Sequence, residues 1–140
     1  MATAAKAGIG TTLKVGDGAS AEVFTLIGEV KNVNGPNVSN EQIEVTNLDS
    51  PNNFKEFIGG LKDGGEIQFE MNWIKGTKQT QIRDDVVSAT LRNYQIVWPT
   101  SPSTTAVISA FPTSFAITAE PNAAITASVS LKLSGDITWT

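Results

Sequence analysis

Glu66-Ile67-Gln68-Phe69-Glu70-Met71-Asn72-Trp73 alternates polar and apolar residues along its whole length. A β-strand turns successive side chains to opposite faces, so Ile67, Phe69, Met71 and Trp73 share one side while Glu66, Gln68, Glu70 and Asn72 share the other. The segment reads as a strand with one core face and one wet face. Thr126 to Leu133 (TASVSLKL) repeats the period, with Ala127, Val129, Leu131 and Leu133 inward and Thr126, Ser128, Ser130 and Lys132 outward. Weaker strand patterns cover Leu13 to Val15, Glu22 to Val33, Gln42 to Leu48, Tyr94 to Trp98, Phe115 to Ala119 and Ile137 to Trp139. Gly- and Pro-rich turn signals separate them, among them Asn34-Gly35-Pro36-Asn37, Asp63-Gly64-Gly65 and Pro121-Asn122.

Two segments break this rhythm. Thr77 to Leu91 (TKQTQIRDDVVSATL) places Ile82, Val86 and Ala89 at i, i+4 and i+7 with Thr77 as N-cap, which predicts one α-helix packed on a sheet. Val87 and Leu91 lie around that helix from the inward line, so a neighbouring strand or another subunit must cover them. Asp84 and Asp85 point about 100° apart on such a helix and read as solvated. Further upstream, Ser50-Pro51 offers a capping residue and a proline at the first helical position, which predicts a short helical plug stacking Phe54, Phe57 and Ile58 on one end of the sheet. The sum is an α+β chain, mainly β: an antiparallel β-sandwich or partly closed barrel with one flanking α-helix. We expect a single domain over residues 1–140, with residues 1–12 as a flexible N-terminal arm.

Composition narrows the chemistry. The 140 residues are 40% hydrophobic and 17% charged, ordinary for a chain that folds. There is no His and no Cys, which removes the usual zinc sites, disulfides and the Ser-His-Asp and Cys-His nucleophilic schemes. Glu66 and Glu70 share a strand face about 13 Å apart, too far for the ~5 to 9.5 Å of glycosidase carboxylate pairs. We therefore expect no enzyme, no cofactor and no metal. A formal net charge of −4 and scattered lysines argue against tight binding to a phosphate backbone. No window approaches the ~18 apolar residues that span a bilayer, and we expect a product of the cytoplasm with no membrane partner. Trp73, Trp98 and Trp139 keep open a second reading, a ligand- or carbohydrate-binding β-sandwich module with a stacking platform.

A longer pattern runs from Gly10 to Trp73. It comprises Gly10-Thr11-Thr12-Leu13, then Ile27-Gly28-Glu29-Val30, a Gly35-Pro36 loop, Ile43 to Pro51 (IEVTNLDSP), Phe54 to Glu70 (FKEFIGGLKDGGEIQFE) and Asn72-Trp73. This resembles the tail tube proteins of long, non-contractile-tailed bacteriophages, and the helix, Tyr94 to Pro99 and the closing strands continue the resemblance almost to the C-terminus. The resemblance implies a structural virion protein whose six-fold rings stack into a hollow tube that conducts the genome from capsid to host. It also implies a tail location and contacts with other tail proteins: tape measure, tail tip and terminator. Double-stranded DNA would pass without specific binding. If each subunit lends four strands to a shared inner barrel, ~24 strands at ~4.8 Å give a backbone diameter of at least ~35 Å before tilt widens it. Within that frame Glu66, Gln68, Glu70 and Asn72 are lumen candidates, beside Glu44 and the Ser128 and Ser130 face. Subunit and ring contacts would come from three places. These are the arm up to Thr11 and Thr12, the loop carrying Val33, Asn34 and Asn37, and Val87 with Leu91. Many such proteins carry an additional immunoglobulin-like domain, which this sequence is expected to lack. Related tubes in contractile tails and type VI secretion share the fold.

Overall fold

The computed structural model describes residues 3–19 and 21–140. Nine strands form among the described residues. The Glu22 to Val33 pattern splits in two, Thr126 to Leu133 merges with Ile137 to Trp139, and the Phe115 to Ala119 pattern covers only the end of a strand that begins at Thr104. One further strand starts at Phe57, in the stretch read as a helical plug. The elements are β1 (Thr12–Gly16), β2 (Phe24–Leu26), β3 (Val30–Asn34), β4 (Ser39–Glu44), β5 (Phe57–Asp63), β6 (Glu66–Asn72), α1 (Thr77–Ser88), β7 (Arg92–Trp98), β8 (Thr104–Thr118) and β9 (Thr126–Trp139). Seven of them form one antiparallel sheet in the order β2-β1-β7-β8-β9-β6-β3, while β4 and β5 form a separate two-stranded sheet.

The large sheet owes its shape to β8 and β9. The first half of β8 pairs with β7 from Thr104 opposite Trp98 to Ala110 opposite Arg92. Its second half, from Pro112 to Thr118, pairs only with β9, whose own first half carries β6 on its other side. Register shifts between Ile108 and Ala110 and between Pro112 and Ser114 mark bulges where the ribbon turns. Two packed halves result, joined by strands that belong to both, the arrangement of strands switching sheets at a sandwich corner. The core between them holds Leu13, Val15, Ile67, Phe69, Met71, Tyr94, Ile96, Ile108, Val129 and Leu131. All four inward residues of the Thr126 to Leu133 pattern are buried, as are Ile67, Phe69 and Met71. Trp73 follows β6 and packs edge-on to Phe115 at the margin of the core, with ring centroids 5.4 Å apart.

Glu22 to Val33 does not form one strand. Glu29 adopts a left-handed backbone (φ 57°) and divides it into β2 and β3, which sit on opposite edges of the sheet. Thr12 is already in the sheet, opposite Val97, so the N-terminal segment outside it ends at Thr11. Met1 and Ala2 of the expected arm lie outside the described residues.

Helix α1 is shorter than its pattern. Ala89 takes a left-handed conformation and ends it, with its N–H bonded to the Asp85 carbonyl, so Leu91 is beyond the helix. The N-cap is Gly76, not Thr77, because the capping group comes from three residues on. The buried Gln79 amide oxygen accepts from the N–H groups of Ile74 (3.1 Å) and Gly76 (3.4 Å), while its nitrogen donates to the carbonyls of Gly28 and Asn72, both at 2.9 Å. One side chain thus caps the helix and ties it to the ends of β6 and the β2–β3 turn. Asp85 is also buried, against expectation, because the Arg92 guanidinium reaches it in two bonds of 2.6 and 3.2 Å. Asp84 remains exposed.

Replacing Gln79 by Ala strands four backbone groups at once and should cost roughly 2–4 kcal/mol of unfolding free energy. Gln79→Glu should cost as much, since a carboxylate cannot donate to Gly28 and Asn72; urea denaturation of both variants checks it. Arg92→Leu leaves a buried carboxylate unpaired and should cost about 3 kcal/mol in the same assay.

Candidate functional site

Two surfaces stand out. The first is the outward side of the four adjacent strands β3, β6, β9 and β8. In register across β6 and β9, Glu66 faces Lys132, Gln68 faces Ser130, Glu70 faces Ser128 and Asn72 faces Thr126. On the far side of β9, Ser114 lies opposite Ser130, Ala116 opposite Ser128 and Thr118 opposite Thr126. On the near side of β6, Asn32 faces Glu70 and Asn34 faces Gln68. A cross-strand pattern of this kind fixes every side chain on a given row, so the face is a continuous field of hydroxyls, amides and a few charges. It includes Glu66, Gln68, Glu70 and Asn72 as the sequence pattern requires, together with Ser128 and Ser130. Glu44 is not part of it: that residue lies on β4, opposite Phe57 in the separate sheet.

Both lysines of this face are paired with a carboxylate. Lys31, bulged out of register between Val30 and Asn32, places Nζ 3.5 Å from Glu70 Oε1. The Lys132 ammonium donates to Asp63 Oδ1 at 2.9 Å and to the Gly65 carbonyl at 3.4 Å. The Lys132 hydrogen bond, followed by one from the Gly65 N–H, holds the Asp63 carboxyl below its ordinary 3.8.

The second surface is the β4–β5 hairpin. Gly35 and Gly65 mark where the β3–β6 ladder gives way to it. Gly35 has φ +120° and a side chain there would come within 2.6 Å of the Glu66 carbonyl; Gly65 has φ +75° and lies against the Asn37 carbonyl. Beyond this bend every residue of β4 and most of β5 are exposed. Ile43 pairs with Ile58, Phe57 lies opposite Glu44, and Leu61, Phe54 and Leu48 stand 83%, 71% and fully exposed. No helical plug forms. A single 3-10 turn covers Pro51–Asn53, and the Ser50 hydroxyl bonds to the Glu56 carboxylate (2.8 Å) instead of capping.

The remaining contact candidates divide. Asn34 and Asn37 are exposed at the bend, Thr11 is half-buried, and Val87 (91%) and Leu91 are uncovered within the subunit. Val33 faces Phe69 and packs on its own core, because its place in the ladder turns it inward. Trp98 stacks on Trp139 at 5.9 Å, but Trp73 is engaged with Phe115, so the three tryptophans do not form one platform.

The family model for the lambda phage tail tube protein matches residues 10–140. The chain belongs to that family. It is a structural component of a virion tail tube and not an enzyme. Solved structures share the fold at low identity. The tail of an empty gene transfer agent particle, refined with C6 symmetry, superposes with a TM-score of 0.79 at 16% identity, covering 97% of this chain and 99% of that one. The SPP1 tail tube gives 0.67 at 13% identity, covering 93% and 76%. The baseplate of the anti-feeding prophage, 6-fold symmetrised, gives 0.71 at 13% identity, covering 100% and 97%. No curated protein matches by sequence.

Sequence reading found β4 through Gln42 to Leu48 but missed β5, the other strand of this hairpin arm of the tail tube subunit, because Phe57 to Asp63 (FIGGLKD) has no alternation; a ribbon exposed on both faces imposes none. It also missed Asp63, Lys132 and Lys31 as partners, since their pairing arises only from register.

Asp63 should titrate below 3.8 in the folded protein. The pair then persists at any pH above that folded value and is lost as the pH falls through it. A carboxyl-carbon NMR titration checks this, and Lys132→Gln should move the midpoint upward; an unshifted midpoint in the native protein refutes the pairing.

Proposed function

We propose that six copies close into a ring, that rings stack into the tail tube, and that the polar face of β3, β6, β9 and β8 lines its bore. The observation that carries this reading is the two-stranded arm. A hairpin of this kind is marginal alone in water, and here it holds Ile43, Phe57, Ile58 and Leu61 in the open. Such a ribbon needs a covering surface, and a second copy of the chain supplies one in every ring or stack. Thr11, Asn34, Asn37, Val87 and Leu91 are further contacts in the same reading, and other tail proteins meet the tube at its ends.

The edges of the four-stranded half support closure. The outer side of β3 has no partner strand among the described residues, and neither does β8 beyond Ala110 on the side away from β9. Unpaired edges invite pairing with another chain. Edge-to-edge joining of β8 to β3 around six copies gives ~24 strands and a bore wide enough for hydrated duplex DNA. Double-stranded DNA then passes a lining of hydroxyls and amides with few free charges.

Leu48→Asp with Leu61→Asp should abolish rings and tubes in electron micrographs while leaving the circular dichroism spectrum and thermal midpoint of the subunit close to native. Tubes of normal dimensions from that variant would remove the arm from the assembly contacts.

A further inference from the structure

The bore face contains two lysines, a poor choice for a surface along which a polyanion must slide. Each phosphate neutralised by a free lysine adds to counterion release, and a ring repeats every contact around the bore. Both cations are already held, however: Lys31 by Glu70, and Lys132 by Asp63 with Glu66 opposite it in the ladder. These pairs do little for stability. Lys31 and Glu70 side chains are 47% and 36% exposed, and ion pairs in water of that kind contribute little to folding. Their effect is on the charge the face presents. Among these five side chains, Asp63, Glu66 and Glu70 against Lys31 and Lys132 leave an excess of one negative charge.

We infer that Asp63 and Glu70 are masking residues, which occupy the two lysines of the bore face so that neither grips a DNA phosphate during passage. This rests on the bore assignment proposed above and adds which residues keep the lining slippery. Lys132 keeps a use in the masked state, since it also bonds the Gly65 carbonyl at the base of the arm. Lys31 is neutralised by Glu70 on the adjoining strand β6, and Lys132 by Asp63 at the end of β5 in the separate sheet.

The test uses particles whose tails are built from variant subunits. Asp63→Asn with Glu70→Gln keeps side-chain shape and leaves Glu66 alone against two lysines, turning the balance of these five side chains from −1 to +1. Genome ejection should slow at least about ten-fold at low salt and recover as salt is raised, the signature of new phosphate contacts. Adding Lys31→Gln and Lys132→Gln should restore the native rate. Native ejection by the double variant at low salt would overturn the masking role. Failure of both the double variant and single Glu70→Gln to form tubes would also overturn it, because the pairs would then be assembly contacts. A Ser130→Cys subunit, unique in a chain without cysteine, reports the bore assignment separately through a small gold label. Label inside the channel with native ejection sinks the masking inference alone; label outside sinks the bore assignment and the inference with it.

Discussion

Two strands, β8 and β9, hold this subunit together by belonging to both of its halves. Their ladder runs from Ala106 opposite Trp139 to Thr118 opposite Thr126, and no other pairing in the fold is as long. A flat ribbon of that length would leave its apolar residues open on one side; the bulges near Ser109 and Thr113 turn it, so that Ile108 and Ala110 from one half meet Val129 and Leu131 from the other across one core. Every other strand of the large sheet is an attachment to this bent ribbon, while β4 and β5 pair only with each other. β7, β1 and β2 extend one half, β6 and β3 the other, and α1 lies against β8 with Ile82 in the core.

The same bend distributes exposure. Because β7 leaves β8 at Ala110 and β6 leaves β9 at Lys132, each half ends in a strand with an open edge. A single chain cannot close both edges with these strands, and closure by further copies satisfies the same hydrogen-bonding groups without new secondary structure. The tube subunit is in this sense a sheet cut to a repeating unit.

What could be read from the sequence follows from where each residue's environment is set. The faces of β6 and β9 were legible because a core on one side and water on the other force alternation, and Ile67 to Trp73 and Ala127 to Leu133 obey it. The helix was legible from Ile82 and Val86 but not its ends, since its cap is the side chain of Gln79, a residue whose role depends on carbonyls of Gly28 and Asn72 that only the fold brings near. Asp85 misled for a similar reason: its partner Arg92 was visible in sequence, but its burial was not. The arm was least legible. Phe54, Phe57 and Ile58 look like core residues by composition, yet all three stand exposed within the single chain. The candidate bore face was legible in its carboxylates and serines, whereas the lysine pairing was hidden in the bulge at Lys31 and the register at Lys132.

In the proposed assembly, arm and edge act differently. Open edges offer directional hydrogen bonds whose net worth in water is small, about 1 kcal/mol each, so a chance meeting of two subunits by edges alone is weak. The arm offers apolar area, worth about 25 cal/mol per Å² once covered, less the conformational entropy its side chains lose on packing against a partner. Joining a ring that already presents both surfaces engages edge and arm together, whereas two free subunits must order the arm for a single contact. In that assembly, growth on an existing end is favoured over nucleation in solution.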